Sequence, residues 1–187
     1  MSCMRVVSGE LRGRRIESPS GDATRPTTDK VREAVFNALG STGLLVDAVV
    51  LDLFAGTGAM GIEALSRGAS RCVFVERDRR ALEVLRRNID SLGLGARSEI
   101  VAGDALTSAS RAADIVIADP PYGFDGWERL LGSVTAGVVV TEADSPVGAP
   151  EGWETVRERR YGRTHVTFLA RAGAPQDRGG GDTVEAP

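Results

Sequence analysis

An α/β fold built on a mostly parallel sheet is predicted by this sequence, on three observations. Short apolar runs alternate with amphipathic stretches between residues 49 and 141, the pattern of parallel strands covered by helices on both faces. The turn after the first run is glycine-rich, Gly56-Thr57-Gly58-Ala59-Met60-Gly61. Beyond residue 153 the pattern changes to two runs, 154–160 and 164–170, flanking Tyr161-Gly162-Arg163, which reads as an antiparallel hairpin closing the sheet.

The elements follow in order. Residues 4–16 alternate around Gly9 and Gly13, a small basic hairpin, and Ser18-Pro19-Ser20-Gly21 reads as loop. A helix is predicted from Thr28, with Thr28 as its cap and Asp29 in its first turn; Val31, Ala34, Val35, Ala38 and Leu39 make one apolar face that docks on the body. Strand 49–53 leads to a helix over 59–67, stopped near Gly68. Strand 72–76 leads to a helix over 78–92, capped by Asp78, with Leu82, Leu85, Ile89 and Leu92 inward and Gly93 ending it. Strands 98–102, 115–119 and 137–141 follow, with a short helix over 127–133. Residues 171–187, rich in Gly, Ala, Pro and Asp, read as a disordered tail. The expected organisation is an N-terminal extension over 1–40, a body over 41–170 and that tail.

A chain of 187 residues that is 42% apolar suffices for one packed domain, and no run is long enough to span a membrane. Met-Ser-Cys-Met-Arg lacks the apolar core of a secretory signal, and Met4 makes a more conventional opening than Met1. Two cysteines, Cys3 in an expected frayed terminus and Cys72 in a buried strand, make no disulfide framework, so reduced thiols in a cytoplasm are expected. A net charge of −3 argues against a general nucleic-acid coat protein. Charge is uneven, however: residues 1–37 hold seven basic side chains against five acidic, the remainder 16 against 21. Arginine supplies 22 of the 23 basic residues, which reflects either phosphate recognition or a coding bias.

Gly56, Gly58 and Gly61 satisfy G-x-G-x-x-G after a strand, and Glu76 ends the next strand, so a nucleotide-type cofactor is favoured. Asp52, four residues before the first glycine, would repel a pyrophosphate but suit a ligand bearing an ammonium and a sulfonium. S-adenosylmethionine carries both and no phosphate. Its carboxylate can use the N–H groups at the helix start, and Glu76 can accept from both ribose hydroxyls. Asp104, after the third strand, is placed to meet the adenine amino group. The bland alternatives are a tight glycine turn and carboxylates that cap neighbouring helices or stay solvated. Asp119-Pro120-Pro121-Tyr122 follows the fourth strand, where two prolines stiffen a corner offering a carboxylate, blocked carbonyls and an aromatic face. That set suits a flat substrate with an exocyclic amine; a proline-rich turn with a capping aspartate is the alternative. Three of nine aromatics, Tyr122, Phe124 and Trp127, crowd this corner, although Trp127 also fits a helix core with Leu130 and Leu131. His165, the single histidine, has no partner set for metal or triad chemistry, and no metal is expected.

The four motifs fall in order at the ends of strands one to four. Together they resemble the class I, Rossmann-like S-adenosylmethionine-dependent methyltransferases that act on exocyclic or amide nitrogens. Arg5-Val-Val-Ser-Gly-Glu-Leu-Arg-Gly-Arg-Arg-Ile and Thr24-Arg-Pro-Thr-Thr-Asp-Lys-Val-Arg-Glu-Ala-Val-Phe-Asn then resemble the opening of the bacterial RsmD family, over residues 4–170. The resemblance implies a seven-stranded sheet with a terminal antiparallel hairpin, and methylation of N2 of one guanine in 16S rRNA, with the 30S subunit as partner. It implies Asp119, Pro120, Pro121 and Tyr122 as catalytic residues. Asp52, Phe54, Gly56, Thr57, Gly58, Glu76, Asp104 and Ala105 become the S-adenosylmethionine site. Arg12, Arg14, Arg15, Arg25, Arg32 and Phe124 are the candidate RNA contacts, with ordinary solvated charge as the alternative for the arginines. A monomer is expected, relying on the shape of a folded ribosomal particle for selectivity.

Overall fold

A computed structural model describes residues 3–18 and 26–173; Arg25 and the expected tail beyond residue 173 lie outside the described residues. The chain opens with β1 (Cys3–Arg5) paired antiparallel to β2 (Arg15–Glu17). Cys3 therefore starts a strand, opposite Glu17, rather than a frayed end. α1 (Pro26–Ser41) begins two residues before Thr28, because a proline suits the first helical position, where its missing N–H has no acceptor to lose. Next come β3 (Val49–Leu53), α2 (Ala59–Ser66), β4 (Arg71–Glu76) and α3 (Arg79–Leu92). They are followed by β5 (Ser98–Ala102), α4 (Ala105–Ser108), β6 (Ile115–Ala118), α5 (Trp127–Ser133), β7 (Val138–Ala143), β8 (Trp153–Tyr161) and β9 (Thr164–Arg171).

Asp78 caps α3 through the Ala81 N–H, and Gly93 ends it in the left-handed conformation, as the sequence predicts. β6 stops at Ala118, one residue early, since Asp119 precedes two residues that cannot donate to a ladder. β9 runs into the expected tail as far as Arg171, which pairs with Trp153, lays its guanidinium 4.4 Å from the Trp153 ring centroid and donates to the Val134 carbonyl.

The sheet order is β5-β4-β3-β6-β7-β9-β8, with β3 to β7 parallel and β9 antiparallel to both neighbours. The order reverses between β3 and β6, the crevice where open α/β sheets bind ligands. Each face carries its own core. Val50, Phe74, Ile117 and Phe168 pack with α1, α2 and α3, whereas Leu51, Val75, Val116 and Leu169 pack with Leu130 and Leu131 of α5. Cys72 is buried in the first of these, and burial pushes its thiol well up, so it is an inert packing residue.

The N-terminal hairpin is keyed into the body by three buried polar side chains. Glu63 of α2 accepts the Val7 N–H at 2.8 Å and the Ser8 N–H at 3.0 Å. Ser66 accepts from Leu11 and donates to the Ser8 carbonyl. Gly9, at φ +85°, allows the closest approach, for a Cβ there would stand 1.9 Å from the Ser66 carbonyl oxygen. Asn88 of α3 accepts the Glu17 N–H at 2.8 Å while its amide donates to the Glu17 carbonyl and, at 2.9 Å, to the Thr57 carbonyl.

Candidate active site

Register aligns the ends of the central strands. Leu53 lies beside Val75 and Ala118, and Val75 beside Val101. Phe54, Glu76, Asp119 and Ala102 are therefore the next residues of adjacent strands, at the sheet's carboxyl edge. The turn that follows β3 is tightly made: Phe54 and Gly56 have positive φ, and Gly58 donates to the Ala55 carbonyl at 2.7 Å. Gly58, at φ +86°, leaves no room for a side chain, since a Cβ would lie 2.4 Å from Leu85 Cδ1. Gly61 does the same for helix against strand, with Cys72 Sγ and Phe74 Cε1 within 2.5 Å of a Cβ position.

Asp52, Glu76 and Asp104 are each anchored to backbone. Asp52 accepts the Gly61 N–H at 2.9 Å and so caps α2 from outside, the N-cap Gly58 having no side chain to do it. Burial first, and then the charges of Asp119 and Glu76, push its carboxyl up to about 7 against the pull of that hydrogen bond. Glu76 accepts the Gly56 N–H through Oε2 at 2.7 Å, and the Arg77 and Asp78 N–H groups through Oε1 at 2.8 Å. A carboxylate offers about four acceptor positions, so one remains, on Oε2. Acceptance of two ribose hydroxyls, expected from the sequence, would displace one of these bonds. Asp104 caps the four-residue α4 through Oδ1, leaving Oδ2 3.8 Å from the Arg77 guanidinium, and Ala105 is buried as the first residue of that helix. Asp52 and Asp104 thus cap helices, whereas Glu76 braces the turns after β3 and β4, and these bonds fix the orientation of all three.

Such a site fits a zwitterion carrying extra positive charge. The charges of Asp119 and Glu76 disfavour ionisation of Asp52, and a cation would relieve that repulsion. Ala59 and Met60, the first residues of α2, leave first-turn N–H groups for an anionic end.

At the end of β6, Asp119 is exposed, Pro120 buried, Pro121 exposed and Tyr122 58% exposed. The neighbouring aromatics do something else. Phe124 stacks edge-on between Phe54, at 5.2 Å, and Trp127, at 5.1 Å, and all three are half-buried against the α5 face of the sheet. Phe124 is therefore a brace between the glycine turn after β3 and the Asp119 corner, not a free RNA-stacking ring. Tyr122 alone of these aromatics is mostly exposed.

Residues 4–170 match a family described as Conserved hypothetical protein 95. The chain belongs to this, the bacterial RsmD family of methyltransferases. A Bacillus subtilis protein provisionally named rRNA methyltransferase YlbH is 36% identical over 91% of this chain and the whole of that protein. Ribosomal RNA small subunit methyltransferase D of Haemophilus influenzae is 30% identical over 85% of this chain and 89% of its own length. The like-named Escherichia coli K12 protein is 39% identical over 64% of this chain, a match that spans 60% of that protein. A solved Escherichia coli structure, provisionally named methyltransferase yhhF, gives a TM-score of 0.80 at 32% identity, over 91% of this chain and 98% of that chain.

Within this RsmD-family chain the basic candidates divide. Arg12, Arg14 and Arg15 are exposed, Arg14 donating to the Ser91 carbonyl at 2.9 Å. Arg32 is 2% exposed and is corrected to a structural role. Its guanidinium lies against Asp29 at 2.9 Å and Glu63 at 3.5 Å and donates to the Arg5 carbonyl, where no RNA phosphate can reach it. His165 is half-buried 3.7 Å from Glu158, and no metal-ligand group occurs among the described residues. No helix among them is long and apolar enough to cross a membrane.

Proposed function

We propose that this protein transfers a methyl group from S-adenosylmethionine to the exocyclic N2 of a guanine in 16S rRNA, within the small ribosomal subunit. The observation that carries the reading is the alignment of Asp119-Pro120-Pro121-Tyr122 with Phe54 and Glu76 at one sheet edge, astride the switch point. The names of the relatives as small-subunit rRNA methyltransferases support the substrate class. When bound, S-adenosylmethionine supplies a sulfonium methyl open to nucleophilic attack.

The chain's own residues do the rest. Asp52, Glu76 and Asp104 hold the cofactor's cationic, ribose and adenine parts, and the first turn of α2 holds its carboxylate. An amine conjugated with a purine is a poor nucleophile. Asp119 and the Pro120 carbonyl accept its N–H bonds, which draws N2 toward a tetrahedral shape and exposes its lone pair. Asp119 or solvent takes the proton released. Tyr122 stacks on the displaced base, returning about 1–3 kcal/mol against an unstacking cost of a few kcal/mol. Holding donor and acceptor in line contributes up to roughly 7–11 kcal/mol.

Small subunits from a strain lacking this protein, incubated with it and labelled cofactor, should yield N2-methylguanosine on nucleoside analysis. N6-methyladenosine instead would replace this reading with an adenine methyltransferase. Asp119→Ala should abolish transfer, and Tyr122→Ala should slow it about 5- to 150-fold, with cofactor affinity retained in both. Transfer at the normal rate by Asp119→Ala would remove that residue from the mechanism.

A further inference from the structure

β8 is the outermost strand of the sheet, and its residues 154–160 are exposed on both faces. Arg157, Arg159 and Arg160 lie on it and Arg163 in the turn to β9, with Glu158 the single acid between 157 and 163. None of the four arginines pairs with a carboxylate among the described residues. Elsewhere on the surface Arg71 and Arg111 pair with Glu99, Arg87 with Glu17 and Arg97 with Glu10, whereas Arg79, Arg80, Arg86 and Arg129 have no such pair among the described residues; what sets β8 apart is the clustering of four within seven residues.

Charge on an edge strand guards against pairing with another chain, and either sign serves that purpose. A local excess of four arginines over one glutamate, in a chain of net charge −3, calls for a further cause. Its position supplies one. Ala118, Thr141, Thr167 and Glu158 share one row across β6, β7, β9 and β8. β8 runs in the direction of β6, so Arg159 is level with Asp119, three strands away, or about 14 Å at the usual spacing. Arg160 and Arg163 lie beyond it, past the same edge of the sheet. Arg157 and Arg159 face the side of Phe168 and Val166, their partners on β9, which is the side that carries α1. The turn of Gly56 and Gly58 lies across β6 in the other direction.

We propose that Arg157, Arg159, Arg160 and Arg163 form a phosphate-binding surface for the rRNA strand entering the site, on the substrate side of Asp119. The inference rests on the rRNA reading above. Planar guanidinium forks suit phosphate oxygens, and a strand whose base sits at Tyr122 would run along β8 within a few nucleotides.

The test is the full chain carrying R157E/R159E/R163E, which keeps the edge charged and leaves the 2.9 Å bond from Arg160 to the Gly162 carbonyl in place. A companion R157Q/R159Q/R163Q removes charge without reversing it, and circular dichroism and melting establish that both fold. Binding to small subunits from cells lacking the protein is measured across a salt series, beside methyl transfer and S-adenosylmethionine affinity. The reversed variant should lose at least about tenfold in subunit affinity, and its log K against log salt slope should shrink by about 2–3. The neutral variant should fall between it and the unaltered chain, with cofactor affinity unchanged in both. Subunit affinity and slope equal to those of the unaltered chain would overturn the proposal, as would an unaltered chain that binds no subunit. Salt-dependent binding through β8 without N2-methylguanosine would instead sink the proposed reaction and leave the surface standing.

Discussion

Asp52 ionises near 3.8 when unfolded and near 7 in the folded chain, where burial and two neighbouring carboxylates disfavour its charge. Between those values the folded state binds the proton more tightly, so stability falls as pH rises and levels off above about 7. Asp52→Asn, which keeps an acceptor for Gly61, should match the unaltered protein near about pH 4. It should exceed it by up to about 4 kcal/mol near about pH 8 in urea unfolding, while binding a cationic cofactor more weakly. Equal stability at both pH values would show that Asp52 does not carry this penalty. The sequence marks Asp52 as a partner for positive charge, and its second duty as the cap of α2 leaves a faint trace, a glycine where a capping side chain is expected. Arg32 is illegible as a buried residue by type alone. Its neighbour Phe36, four residues on and fully buried, shares its side of α1 and is the signal that would have placed it inward.

At the scale of elements, the helix α2 is apolar except for Glu63 and Ser66, and a lone acid in such a helix needs a partner. It finds four, the Val7 and Ser8 N–H groups and the guanidinium groups of Arg32 and Arg67. Glu63→Ala would leave buried Arg32 with only the exposed carboxylate of Asp29 and would deprive the hairpin of its anchor. It should cost about 3–5 kcal/mol in urea unfolding, and a loss below about 1 kcal/mol would mean the hairpin is held by its apolar contacts alone. The strands and the three long helices are readable from periodicity to within a few residues. α4 is not, because Ala105–Ser108 is barely one helical turn, too short for its period to repeat, and is nucleated by its cap. The exposure of β8 is equally hidden: alternation in sequence says which residues share a face, but not that no helix covers either one.

For the whole molecule, the order of the four motifs at successive strand ends carries over directly into space, since parallel strands bring their carboxyl ends to one edge. What sequence order cannot show is how far apart the basic side chains lie, with Arg14 reaching Ser91 at the C-terminal end of α3, away from that edge. The hairpin of Arg12, Arg14 and Arg15 packs by β2 on α3, which lies by β5, whereas Arg157 to Arg163 border the far edge at β8. Two separated surfaces on so small a domain suit a substrate that is already folded. Purified protein should accordingly methylate small subunits at least about tenfold faster than a short naked RNA of the target sequence; equal rates would place selectivity in local sequence instead. The hairpin also bears on the site from within. Asn88 holds the backbone of Glu17 with one hand and the carbonyl of Thr57 with the other. A local opening that frees one end strands a buried amide at the other, an energetic cost that ties the opening of the N-terminal hairpin to that of the glycine turn after β3.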